Sequence, residues 1–137
     1  MKQHRICATD IILLVINVLF LLGMLFWFGP CDHVKDDGSF MNCHWAGVVL
    51  AGTAAVMTVI SLAHLLIPDT GMKAGLSAAL VPCSVFAFLV PGNLISLCMM
   101  NTMRCRSVMT PAAMVCSALV VITAAVDIAV QLRRKAK

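Results

Sequence analysis

The sequence predicts an all-α, polytopic integral membrane protein, a single domain in which four transmembrane helices form a bundle. Of its 137 residues, 61% are hydrophobic and only 12% are charged, whereas about 25% are charged in soluble domains. Its mean hydropathy is +0.99. Four uninterrupted apolar runs cover residues 11–28, 45–67, 75–97 and 111–130. Each is long enough, since crossing a hydrocarbon core takes about 20 helical residues.

The first two runs are predicted to be retained membrane spans. Lys2 and Arg5 precede the run 11–28, but its apolar core is too long for a cleaved signal peptide. The second run, 45–67, is joined to the third by a short turn over 68–75. A connection this short makes the second and third spans antiparallel neighbours.

Proline and glycine define the boundaries of the last two spans. Pro91, Gly92 and Asn93 are expected to kink the third span or to end it early. Asn93 is predicted to bond backbone groups that this break leaves free. Thr110 and Pro111 are expected to open the fourth span as its N-cap and first helical residue.

The distribution of basic residues predicts that both termini are cytoplasmic. Short connections between four spans place seven basic residues on the side of the termini and three on the other side. The two groups are Lys2, Arg5, Lys73, Arg133, Arg134, Lys135 and Lys137 against Lys35, Arg104 and Arg106. By the positive-inside rule the richer side is cytoplasmic. The net charge of +4 therefore indicates topology, and we expect no nucleic-acid partner.

Four cysteines fall in the two connections predicted to be extracytoplasmic. Cys31 and Cys43 flank the first, and Cys98 and Cys105 lie in the second. Thiols on the oxidising side of a membrane commonly pair. The favoured prediction is a small cysteine-rich cap held by structural disulfides, with the choice among three connectivities left open.

A redox function is the first alternative for these cysteines. Four spans with a cysteine pair in each outer connection are similar to the quinone-coupled enzyme that re-oxidises periplasmic disulfide-forming proteins. Arg104 and Arg106 next to Cys105 would favour its thiolate. The chain contains no Cys-x-x-Cys pair, which counts against this alternative.

A soft-metal site is the second alternative. Thiolate and thioether sulfurs select ions such as Cu(I), and Met99, Met100 and Met103 lie within one helical turn of each other. His44 would add an imidazole, or bind haem together with a sulfur ligand. Methionine at the end of a bundle is more commonly packing, so we expect no cofactor, with copper, haem or quinone as the open possibilities.

Ionisable residues inside the spans form a further candidate site. His64 and Asp127 are predicted near the cytoplasmic ends of spans two and four, and Asp10 at the start of span one. Intramembrane charges are functional candidates by default. At the final helical turns they are expected to reach water, which favours structural pairs of Asp127 with His64 or Asp10 with Lys73.

A repeat of small residues predicts a helix-packing face. Gly47, Ala51 and Ala55 recur every four residues in the second span, a spacing that lets membrane helices approach closely. A 14.7 kDa bundle has little volume for its own translocation path. Besides the lipid bilayer, we therefore expect a membrane-protein partner or a homo-oligomer, and no enzymatic activity.

Three stretches carry a resemblance to a known family: "GPC" at 29–31, "DGSFMNCHW" at 37–45 and "CMMNTMRCRSVM" at 98–109. Together they resemble small bacterial and archaeal four-span membrane proteins that are known only as a domain of unknown function. The resemblance implies a multi-pass protein of a bacterial or archaeal plasma membrane. It also implies a genomic association with ABC transporters of the macrolide-exporter type, and hence an accessory or assembly subunit of such a transporter.

Overall fold

The computed structural model describes residues 8–28, 36–40, 42–97 and 105–136, without the side chains of Cys105 and Lys135. In these residues the fold is all-α, as predicted, and contains no β-strand. Four α-helices account for most of the described chain. They are α1 Ala8–Leu22, α2 Asn42–Leu66, α3 Thr70–Leu89 and α4 Thr110–Lys135.

The four helices form an up-down-up-down bundle. Each helix packs against its neighbours in the chain, and α1 also packs against α4, which closes the ring. The start of α1, the end of α4 and the α2–α3 turn meet at one end, called here the terminal end. Residues 36–40 and 91–97 lie at the opposite end, called the loop end. Both ends of the described chain thus share one end of the bundle, and its assignment to the cytoplasm stays a prediction.

Buried positions follow a heptad pattern. In α1 they are Asp10, Leu13, Asn17 and Phe20, and Met24 in the following π turn continues the series, so the spacing alternates between three and four residues. This average of about 3.5 residues is typical of helices that wrap around each other in a left-handed bundle. The other three helices repeat it, and the remaining positions present exposed aliphatic and aromatic side chains.

All four helices are long and apolar enough to cross a membrane. The qualifying segments are Ala8–Trp27, Asn42–Leu66, Thr70–Leu89 and Arg106–Arg134. Their exposed apolar faces fit a hydrocarbon solvent, in which helices satisfy their own backbone hydrogen bonds. These features indicate a multi-pass membrane protein.

The third helix differs from the predicted span 75–97. It begins at Thr70 and ends at Leu89, because Pro91 has no N–H to continue it and Gly92 adopts a φ of +93°. Asn93 is consequently exposed in a turn rather than bonded inside a span. Because the helix begins before position 75, it includes Lys73, whose side chain is buried in the bundle and faces Asp10 on α1.

Short π-helical turns extend α1 and α4 at the loop end. They cover Gly23–Trp27 and Cys105–Met109. The N-cap position of α4 is therefore Met109, and Thr110, the predicted N-cap, is the first residue of the α-helix. At the end of the first π turn, the Phe28 N–H donates to the Gly23 carbonyl oxygen over 2.6 Å. A Cβ on residue 23 would lie 2.6 Å from Phe28 Cε2. Only glycine fits there without moving the ring.

Candidate functional site

Each helix places one ionisable residue in the same layer at the terminal end. The four are Asp10 on α1, His64 on α2, Lys73 on α3 and Asp127 on α4. All four occupy core positions of the heptad pattern and are buried. We call this group the charged layer.

Asp127 accepts hydrogen bonds from three helices. Its Oδ2 lies 2.9 Å from His64 Nε2 and accepts the Ser77 hydroxyl at 2.6 Å. Its Oδ1 accepts the Thr9 hydroxyl at 2.9 Å and faces the Gln131 amide nitrogen at 3.4 Å. A carboxylate bonded on both oxygens is held in one orientation, so Asp127 in turn fixes the imidazole of His64.

Asp10 contacts the other two members of the layer. Its Oδ2 pairs with Lys73 Nζ at 2.5 Å, and its Oδ1 lies 3.8 Å from His64 Nδ1. The latter distance is too long for a hydrogen bond. The imidazole of His64 therefore contacts Asp127 through one nitrogen and faces Asp10 with the other.

Both structural pairs predicted from the sequence are formed, but the expectation that they reach water is wrong. The side chains of Asp10 and His64 are fully buried, and that of Lys73 is 5% exposed. The reason is the length of the neighbouring helices: α3 begins at Thr70 and α4 continues to Lys135, so the layer lies inside the bundle.

A smaller polar cluster lies one to two helical turns further into the bundle. The Asn17 amide nitrogen donates to Ser61 Oγ at 2.7 Å and to the Leu13 carbonyl at 2.9 Å. The Thr58 hydroxyl donates to the Asn17 carbonyl at 3.3 Å. Asn17 and Ser61 occupy buried heptad positions, which the sequence pattern could have indicated. Which side chains they contact depends on how each helix is rotated.

Several predicted sulfur ligands fall outside the described part of the chain. Cys43 is buried in the apolar core at the loop end. Among the cysteines with described side chains, Cys43, Cys83 and Cys116, no pair forms a disulfide. The residues outside the description are Cys31, Cys98, Met99, Met100 and Met103, together with the side chain of Cys105. The cap, redox and soft-metal hypotheses stay predictions.

His44 is part of an aromatic cluster at the loop end. Its ring stacks on Phe40, with centroids 4.4 Å apart and an interplanar angle of 18°. The exposed Trp45 meets it edge to face at 6.1 Å. Aromatic rings with polar atoms favour the headgroup layer of a membrane, so this cluster is suited to anchoring α2 there.

The small residues predicted to form a packing face do not share one surface. Gly47 is buried in the bundle, Ala51 is half-buried and Ala55 is exposed. A spacing of exactly four residues drifts around an α-helix, because one turn takes 3.6 residues. Gly52, which lies outside this four-residue repeat, is an exposed glycine on α2.

The fold and the site define a class: a small four-helix membrane protein with a fully buried charged layer at one end. The family can also be stated. A model of the family DUF4418, described as a domain of unknown function, matches residues 13–130, and the chain belongs to that family. No curated protein and no solved structure matches the chain.

Proposed function

We propose that this protein is a non-catalytic assembly subunit that docks a transmembrane helix of a partner membrane protein against the outer face of α2 and α3. The docking surface is an apolar groove of about 540 Å³ between these helices. We call it the α2–α3 groove. Its lining residues are Val49, Gly52, Thr53, Val56, Pro82, Cys83 and Phe86.

Gly52 makes the groove accessible to a second helix. It is exposed, and a Cβ built on it would meet no atom within 4 Å. Glycine at an outward position lets two helix backbones approach closely, which favours association in membranes through van der Waals contact. Thr53 beside it donates its hydroxyl to the Val49 carbonyl of its own helix, so the wall of the groove presents apolar atoms.

Pro82 is the observation that favours a protein helix over a lipid chain. It lies inside α3 on the exposed side and has no N–H to donate to the carbonyl of Ala78. The Ser84 hydroxyl donates to the carbonyls of Leu80 and Val81. The Ala78 carbonyl lacks the N–H that a residue other than proline would supply at position 82, and a carbonyl with no donor at all in hydrocarbon costs several kcal/mol. An acyl chain has no donor, whereas a hydroxyl or amide side chain on a partner helix would supply one.

The charged layer is consistent with an assembly role. Its members are engaged with one another and join all four helices, which fixes helix register and rotation. A rigid bundle presents the groove in one shape and reduces the ordering cost of docking. The resemblance to proteins associated with exporters makes the permease subunit of an ABC transporter the partner we expect.

Site-directed photo-crosslinking in native membranes tests this proposal. A photoreactive residue replaces Val56 in the groove or, as a matched control, Val126 on α4; the two valines are 53% and 49% exposed. We expect one discrete protein adduct from position 56 and none of that mass from position 126. Gly52→Leu should abolish the adduct, and Gly75→Leu should preserve it, because both glycines face open space but only Gly52 lines the groove.

The result has three informative forms. An adduct with a larger membrane protein that depends on Gly52 supports the proposal. An adduct with the mass of two copies of this chain shows a homo-oligomer instead. Identical lipid adducts from positions 56 and 126 would show that the groove is ordinary lipid-facing surface, and would refute it.

A further inference from the structure

One nitrogen of the buried His64 ring has no hydrogen-bond partner among the described residues. Nδ1 is fully buried, and Asp10 Oδ1 lies 3.8 Å from it. A buried polar atom left without a partner costs about 1–3 kcal/mol. Such an atom in a native structure calls for an explanation, and a bound ion is one of the usual ones.

The other ring nitrogen, Nε2, contacts Asp127, and this contact determines whether Nδ1 can act as a metal ligand. Nε2 lies 2.9 Å from Asp127 Oδ2, and an ionised carboxylate can only accept. Nε2 therefore donates the hydrogen of this contact, and Nδ1 is the ring nitrogen whose lone pair a metal ion would use. Histidines that bind metals are oriented in this way, with the second ring nitrogen donating to a carboxylate.

We propose that the charged layer binds a divalent transition-metal ion through His64 Nδ1 and Asp10 Oδ1, with Asp127 holding the imidazole in its ligating orientation. Metal–ligand bonds of about 2.1 Å span up to about 4.2 Å between two ligand atoms. The 3.8 Å gap is thus bridged by one ion without a shift of the helices. Ligand atoms of Asp10, His64 and Asp127 all lie within 4.8 Å of one another.

Gln131 is a candidate for a further ligand. It is buried on α4, and its Oε1 has no hydrogen-bond partner among the described residues. Its amide nitrogen already lies 3.4 Å from Asp127 Oδ1, so the side chain reaches the layer. Water would complete the coordination.

The donor set selects the class of ion. One imidazole nitrogen with carboxylate and amide oxygens suits Zn²⁺ or Mn²⁺, whereas Cu(I) prefers sulfur. This site is therefore distinct from the sulfur site predicted at the loop end. Asp10, His64 and Lys73 lie in the first or last turn of their helices, so the site is near the terminal end of the bundle.

Lys73 sets the charge balance of the site. Lys73 Nζ pairs with Asp10 Oδ2, and Asp10 Oδ1 faces His64 Nδ1. The positive charge of Lys73 repels the ion, so removing that charge should tighten metal binding. If Asp10 and Lys73 form only a structural ion pair, neither the wild type nor Lys73→Gln should bind the metal.

Equilibrium dialysis against Zn²⁺, followed by metal analysis, tests this inference on the detergent-solubilised protein. The chain is purified without a polyhistidine tag, and its thiols are alkylated to remove competing sulfur ligands. We expect about one ion per chain and loss of binding in His64→Gln. The matched control His44→Gln should bind as the wild type does. Asp127→Asn should bind about 10- to 100-fold more weakly, and Lys73→Gln more tightly.

Three outcomes would overturn the inference: no Zn²⁺ on folded wild-type protein, equal binding by His64→Gln, or unchanged binding by Lys73→Gln. If His64→Gln fails to fold, the rise in melting temperature of the wild type with Zn²⁺ still decides the question. Crosslinking at the α2–α3 groove is read independently, so failure of the metal site leaves the proposed docking function untouched.

Discussion

The pair between Asp10 and Lys73 provides the sharpest test of the buried charged layer. Asp10→Asn removes the charge that faces Lys73 Nζ, and Lys73 itself is only 4% exposed. The ammonium would remain buried without a counter-ion at 2.5 Å. Removing one member of a buried pair costs about 3–5 kcal/mol. The asparagine oxygen can still accept a hydrogen bond, so we expect the lower half of that range.

Removing both charges should cost much less than removing one. In the double variant Asp10→Asn/Lys73→Met no ion remains to be desolvated, and methionine adapts to the space of the lysine stem. Replacing a complete buried pair by uncharged side chains is often neutral or stabilising. We therefore expect the double variant to be more stable than Asp10→Asn alone.

The measurement is the free energy of unfolding in mixed micelles titrated with sodium dodecyl sulfate, followed by the helical circular dichroism signal. Asp69→Asn is the matched control, because Asp69 lies exposed at the same end of the bundle. A surface carboxylate of this kind contributes at most about 1 kcal/mol. If Asp10→Asn costs no more than Asp69→Asn, or if the double variant is as unstable as the single one, the reasoning fails.

Two further predictions concern packing and internal hydrogen bonds. Gly23→Ala should destabilise the bundle by about 1–3 kcal/mol, because its Cβ would meet the Phe28 ring at 2.6 Å; the same unfolding assay should show relief by Phe28→Ala and little effect of Gly75→Ala. Asn17→Ala and Ser61→Ala should show a coupling energy of about 0.5–1.5 kcal/mol in a double-mutant cycle, because their side chains bond at 2.7 Å. Additive losses would contradict that contact.

The positions of the four helices could be predicted from the sequence, because they depend on the composition of each segment. The four spans follow from apolar runs, and the clustering of Asp10, His64 and Asp127 follows from their similar depth in those runs. The end of the third helix was misjudged over 90–97, where apolar residues continue although Pro91 and Gly92 have already turned the backbone.

The sequence alone determined that this chain has four segments long and apolar enough to cross a membrane as helices, because hydrophobicity adds residue by residue along a segment. Tertiary structure decided which side chains meet: that Ser77 and Thr9 join Asp127, that Gly52 rather than Gly47 faces outward, and that His64 presents Nδ1 to Asp10. Those contacts depend on the rotation and axial register of each helix, which arise only when all four pack against one another.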